Sequence, residues 1–154
     1  MSDFLFNIAK GRAVEFYNRV KSNDPANSAL ILVPLSASGT EAQGQDLDSL
    51  AAVEADANFA ERTTGGWVRK PLTDAELAAY NPNDTDNRGD VGVPEVTWTA
   101  PTAANNTTGL LICYDPDTTG GTDSGIIPIS HHDFVVTTDG NDVVLNPGDF
   151  LRAS

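Results

Sequence analysis

Cysteine occurs once in these 154 residues, at Cys113, and methionine only at Met1. A lone cysteine excludes an intramolecular disulfide, and one methionine excludes a flexible Met-rich binding surface. Basic residues are scarce, with nine Lys and Arg against 22 Asp and Glu. Affinity for nucleic acid comes from Lys and Arg displacing counterions from phosphate, so a net charge of −13 disfavours a nucleic-acid partner. No apolar run approaches the roughly 20 residues needed to span a bilayer, so no membrane partner is expected. The apolar residues Phe4 to Ile8 are too few for a secretory h-region, and basic residues follow them. Synthesis and folding in a cytoplasm are expected. No G-x-S-x-G elbow, phosphate-binding glycine loop or H-E-x-x-H helix occurs, so neither an enzyme nor a cofactor is expected.

What the chain does have is a split in charge. Residues 1–23 carry Lys10, Arg12, Arg19 and Lys21 against Asp3 and Glu15, a net of +2. The remaining 131 residues carry five basic and twenty acidic side chains, a net of −15. The length suits one domain, 1–154, whose folding buries roughly 70% of the extended-chain surface. A basic segment is thus joined to an acidic body.

The periodicities predict an α+β fold. Leu5, Ala9, Ala13, Phe16 and Val20 recur at helical spacing over residues 3–21, with Phe4, Ile8 and Tyr17 widening the stripe. Ser2 or Asp3 can cap this amphipathic helix, Glu15 and Arg19 form an i,i+4 pair, and Gly11 is a local defect. Pro25 ends the helix by disfavouring helical geometry at Asp24. Ala29–Leu35 reads as a buried strand, with Pro34 at an edge or the strand's end. Residues 36–45 read as a loop, 46–62 as a second helix and 67–72 as a strand. Thr73 and Glu76 form a capping box that opens a short helix through Tyr80. Residues 81–93 read as loop. Beyond them the pattern is strand and turn: 95–99, 109–114, 126–130, then 134–137 and 143–145 as a hairpin around Asp139-Gly140. The C-terminal half is therefore expected to be mainly antiparallel β-sheet. Cys113 falls in an apolar strand and should be an inert buried thiol.

Candidate sites are few. His131 and His132 are adjacent, so in a strand they point to opposite faces and do not share a metal, unless a threefold axis gathers one from each of three subunits. Asp115 to Gly120 imitates the start of a calcium loop, but the twelfth position is Ile126 rather than a glutamate. Arg88-Gly89-Asp90 reads as an ordinary turn, and the sequons at Asn83, Asn105 and Asn106 have no expected consequence without a secretory route. The basic segment has two readings that both stay open. Its stripe packs on the body with its cations solvated or paired, or it forms a subunit interface or docks on a partner. In the second case the candidates are Leu5, Ile8, Ala9, Lys10, Arg12, Ala13, Phe16 and Arg19.

Phe6-Asn7-Ile8-Ala9-Lys10-Gly11-Arg12, Tyr17 to Val20, Asn23 to Leu30, Val96 to Thr99 and Cys113 to Thr119 together resemble small virion proteins of tailed bacteriophages. Among these the chain most resembles capsid decoration (cement) proteins. The resemblance implies a homotrimer on the capsid surface that staples neighbouring major capsid subunits. It carries over no functional residues. The alternatives are a head-fibre, neck or tail component, whose Asn/Asp/Thr-rich loops would be the surface that recognises a host and whose Trp67 or Trp98 would stack on a sugar, and a wall hydrolase using two of the many acids.

Overall fold

The computed structural model describes residues 3–81, 84–86, 89–146 and 148–153, of which 89, 90 and 148–153 are described by their backbone alone. Ser2, Asn83 and Arg88 lie outside the described residues, and with them the Ser2 cap, the first sequon and the Arg-Gly-Asp tripeptide. The fold is α+β. Helices concentrate toward the N-terminal half, and antiparallel sheet dominates the C-terminal half.

The main sheet is antiparallel. Its strands are β1 (Phe4–Leu5), β8 (Ile127–Val136), β7 (Thr107–Asp115) and β2 (Ala29–Ala37) in spatial order. Then β3 (Ala60–Glu61) and β4 (Lys70–Leu72) share the outer edge of β2. Both faces of this sheet are buried, which is why β2 and β7 read as nearly continuous apolar runs. Successive side chains in a strand point to opposite faces. Leu30 and Leu32 of β2, with Leu110, Ile112 and Tyr114 of β7, enter a first core. Ile31, Val33 and Leu35, with Leu111 and Cys113, enter a second. Helix α1 (Ala13–Lys21) covers the first core with Ala13, Phe16, Tyr17 and Val20. Helix α3 (Leu50–Ala55) covers the second with Leu50 and Val53. Two small antiparallel ribbons complete the fold. They pair β5 (Gly89–Val93) with β10 (Gly148–Ala153) and β6 (Val96–Trp98) with β9 (Val143–Leu145).

Residues 3–21 are not one helix. Phe4 and Leu5 are strand, Asn7–Ala9 is a 3-10 turn, and α1 begins only at Ala13. Gly11 stands between them at φ +79°, a backbone conformation that ends the turn and that glycine adopts without strain. The break has a packing cause. Phe4 and Phe6 fill the second core and Phe16 and Tyr17 the first, so the chain must pass round the sheet rather than lie on one side of it. Nothing lies within 4 Å of a side chain placed at Gly11. Gly11→Ala should therefore cost only the backbone strain, about 1–2 kcal/mol in chemical unfolding.

Other expectations are corrected by non-local pairing. The second helix is only α3, capped by Ser49 Oγ on the Ala52 N–H (3.2 Å), because Phe59 is drawn into the second core and residues 60–61 pair with β2. Part of the loop at 36–45 is a short helix, α2 (Glu41–Gly44), and β2 runs on to Ala37. Pro34 is inside β2, not at its end. Its outer edge falls in the gap between Leu32, paired with Lys70, and Leu35, paired with Glu61, where no N–H is required. The Thr73–Glu76 capping box is present, with Glu76 accepting the Thr73 N–H at 2.7 Å, but its helix α4 (Asp74–Leu77) stops before Tyr80. Within the expected loop, 89–93 is strand β5.

The Asp139-Gly140 turn exists, with Gly140 at φ +93°, yet its flanks do not form a hairpin. β8 pairs with β7, and β9 pairs with β6. The two expected strands at 126–130 and 134–137 are one ten-residue strand. Its register slips where Ile112 faces Ser130 but Cys113 faces Pro128, leaving Ile129 as the extra residue of a bulge. The bulge puts Ile129 in the first core and turns His131 toward the second, opposite Leu111.

Candidate functional site

The basic segment presents one exposed ridge. Lys10, Arg12 and Arg19 are exposed, Leu5 and Ile8 are half-buried, and Ala9, Ala13 and Phe16 are buried in the chain's own core. The expected Glu15–Arg19 pair forms at 3.0 Å, and Arg12 joins the same carboxylate at 3.3 Å. The Arg12 hydrogen bond, partly opposed by burial and reinforced by Arg19, holds the Glu15 carboxyl below its usual range. The Arg12 guanidinium also lies 4.6 Å from the Phe16 ring centroid. On the ridge, Lys10 is bonded to Asn7 Oδ1 at 2.7 Å, and the Asn7 amide in turn donates to the Asp46 carboxylate. Lys21 is turned away from it, donating to the Tyr80 carbonyl and to Asn81.

A second cluster has no local signal in the sequence. Arg69 lies between Trp67 and β4, and its guanidinium meets Glu54 of α3 (2.6 Å), Glu61 of β3 (2.7 Å) and Asp123 of the β7–β8 loop (2.6 Å). The hydrogen bond to Glu61 is the chief cause raising the Arg69 pKa, and the bond from Arg69 holds Asp123 below the usual carboxylate range. One cation cannot neutralise three anions. Glu54 takes the remainder: burial, then the Glu61 hydrogen bond and the Asp123 charge, push its pKa up to about 7. A carboxyl whose folded pKa exceeds its unfolded value favours the fold while protonated, and that gain is lost as pH rises through about 7. Glu54→Gln should therefore flatten the stability profile between pH 5 and pH 8, read as urea midpoints. An unchanged profile would show that Glu54 does not carry this proton.

The histidines diverge as expected for strand neighbours. His131 is 0% exposed, so it cannot reach a symmetry axis. His132 is part of a chain: Ser130 Oγ lies 2.8 Å from its Nε2, and Asp3 Oδ2 lies 3.4 Å from its Nδ1. The order serine, imidazole, carboxylate is that of an acyl-transfer site. Ser130 is only 2% exposed, however, and lies under Leu5 in the β1–β8 pair, so a substrate carbonyl has no approach to its hydroxyl. The chain instead pins the N-terminal segment, because Asp3 also accepts the Asp133 N–H at 2.8 Å.

The Asp115–Gly120 turn uses its acids on its own backbone. Asp115 accepts the Asp117 N–H (2.9 Å), and Asp117 accepts both the Thr119 N–H (3.0 Å) and hydroxyl (2.6 Å). Among the described residues no three His, Cys, Asp or Glu side chains cluster as a metal site. Cys113 is buried, and desolvation pushes its thiol pKa up, which keeps it unreactive. Trp67 and Trp98 are interior residues 5.1 Å apart, their indole N–H groups donating to Asn105 O (2.7 Å) and Val68 O (2.8 Å). Neither has a face open to a sugar.

No family model, curated protein or solved structure matches this chain.

Proposed function

We propose that this chain is a structural virion protein that decorates a phage capsid, bound as a homotrimer across neighbouring major capsid subunits. The observation that carries the reading is the ridge of Lys10, Arg12 and Arg19. It is a set of exposed cations in a segment, 1–23, of net +2, joined to residues 24–154, which sum to −15. The apolar side of the same segment is sunk in the core, so the ridge is held in place and does not move as a free tail. Two faces of opposite sign on one body favour head-to-tail contact between copies, which closes a ring when the rotation fits. They also favour docking of the ridge on an acidic lattice surface, where weak contacts repeated by symmetry give avidity. The acidic outer surface then keeps decorated particles apart. The alternative of a head-fibre, neck or tail component lacks the tryptophan platform that would have favoured it.

Purified protein should sediment as a trimer and saturate expanded heads at a fixed stoichiometry. Replacing Lys10, Arg12 and Arg19 together by glutamate should weaken head binding at least tenfold at low salt. The exposure of all three should leave the thermal midpoint within a few degrees of the parent. A monomer that ignores heads, or full binding by the triple variant, overturns the reading.

A further inference from the structure

The second core buries a group at odds with its surroundings. His131 is wholly buried, and neither Nδ1 nor Nε2 has a hydrogen-bond partner among the described residues. A neutral imidazole carries one donor and one acceptor, and an imidazolium carries two donors, so the site satisfies neither form and the charged form least. The ring is stacked on Phe4 (centroids 5.0 Å apart, planes 13° apart) and meets Phe59 edge-on at 6.4 Å. Leu111 lies opposite it in β7. Beside it, Gly109 offers no side chain, and a Cβ there would stand 2.6 Å from Nε2.

The lid over this ring is β1, one of the two shortest described strands of the sheet. β1 has two residues, and its register sets Phe4 against His131 and Leu5 against Ser130. It is held further by the Phe6 N–H on Ile129 O (3.0 Å) and by the Asp3 contacts to Asp133 and His132. Among the described residues, the titratable groups facing His131 are His132 and Asp133 on its own strand and Asp3 from the N-terminal segment. The contacts from β1, β7 and the segment before β3 are Phe4, Leu111, Gly109 and Phe59, which carry no charge.

We infer that His131 and the Phe4 lid form an acid-sensitive latch: uptake of a proton by the buried ring releases β1 from the edge of the sheet. The imidazolium can be hydrated only by uncovering it, and β1 is the least structure whose departure does so. Its departure also exposes Phe4 and frees the segment that leads to the cationic ridge.

The sign follows from linkage. Burial holds the His131 pKa below its usual 6.5, against a smaller opposing pull from Asp133. The open form takes up a proton near 6.5 and the closed form does not, so opening is favoured as pH falls below that value. The Asp3 carboxyl is subject to burial, yet the Asp133 amide and His132 hold it below its usual 3.8. It therefore stays ionised through this window.

Hydrogen exchange of the full-length protein at pH 7.5 and pH 5.5, corrected for the intrinsic rate, tests the latch. One pH unit below the open-state pKa, the amides of β1 and Phe6 should lose about tenfold in protection, while Leu111 to Cys113 in β7 keep theirs. His131→Phe fills the same space with no titratable group and should remove the effect. Protection in the parent that does not change with pH, or an equal loss in the Phe variant, overturns the proposal. If that variant does not fold, the imidazole signals of the parent decide. A His131 ring that stays neutral until the β1 amide signals shift supports the latch, and one that titrates while β1 stays closed refutes it.

Discussion

Trp98→Ala should lower the free energy of unfolding by about 3–5 kcal/mol, a large share of the roughly 5–15 kcal/mol that holds a domain of this kind together. Trp98 is fully buried in the first core, with Trp67 at 5.1 Å and Phe134 at 5.8 Å between ring centroids. It lies on β6, whose backbone partner is β9, in a ribbon separate from the main sheet. The ribbon is therefore held to the sheet largely by side chains, chiefly Trp98 with Val96, Val143 and Leu145 in the first core. Truncating the largest of these leaves a cavity at the joint. It also leaves the Val68 carbonyl without the indole N–H that now reaches it at 2.8 Å. Trp98→Phe restores most of the apolar area but not that donor, and should cost about 1–3 kcal/mol. Urea unfolding followed by far-UV and near-UV circular dichroism checks both. A loss under about 1 kcal/mol for the alanine variant would mean that the ribbon is held by other contacts.

Arg69→Met should cost about 1–3 kcal/mol at pH 7.5, because removing the one cation of a half-buried ionic cluster leaves its acids uncompensated, with solvent screening part of the loss. Glu54, Glu61 and Asp123 come from three separate segments, and Arg69 is what lets them share one place. The cost should depend on pH with a definite sign. The Asp123 pKa is depressed, so the stability that its ionised form contributes is present above its usual 3.8 and lost as pH falls through the folded value. The Glu54 pKa is raised, so its favourable protonated form is complete below its usual 4.5 and lost as pH rises through about 7. Both shifts make the cluster most anionic, and most in need of the guanidinium, in alkaline solution. The gap between parent and variant in urea midpoint should be widest near pH 8 and narrowest near pH 4. A gap constant over that range would show that the arginine acts by packing its stem rather than by its charge.

The exposed cations were legible in the sequence, and the burial of the residues around them was not. The cations of the ridge stand out as Lys10, Arg12 and Arg19 in an acidic chain, and Glu15 pairs with Arg19 as the i,i+4 spacing indicates. Which neighbours of those cations are buried was not legible. Ala9, Ala13 and Phe16 share the segment's stripe, but the fold that consumes them is made by residues far along the chain. Trp67 and Trp98 carry no mark in the sequence that separates a core tryptophan from a sugar platform. That depends on the Asn105 and Val68 carbonyls that receive their N–H groups. The Arg69 cluster was invisible for the same reason, since Asp123 is 54 residues away from the arginine it binds.

What the sequence determined by itself is what local chemistry decides. The apolar runs at 29–35 and 110–114 had to become buried strands. The helical spacing read over residues 3–21 made an α-helix only from Ala13 to Lys21, and Thr73 with Glu76 had to start one. A single cysteine in an apolar strand had to be inert. Tertiary structure alone decided that Gly11 breaks the N-terminal helix, that a bulge at Ile129 turns His131 inward, and that the strands flanking Asp139-Gly140 part company. Each of these depends on which of two buried sheet faces a side chain must reach. That choice is made by partners tens of residues away, and a periodicity read over one short window does not contain it.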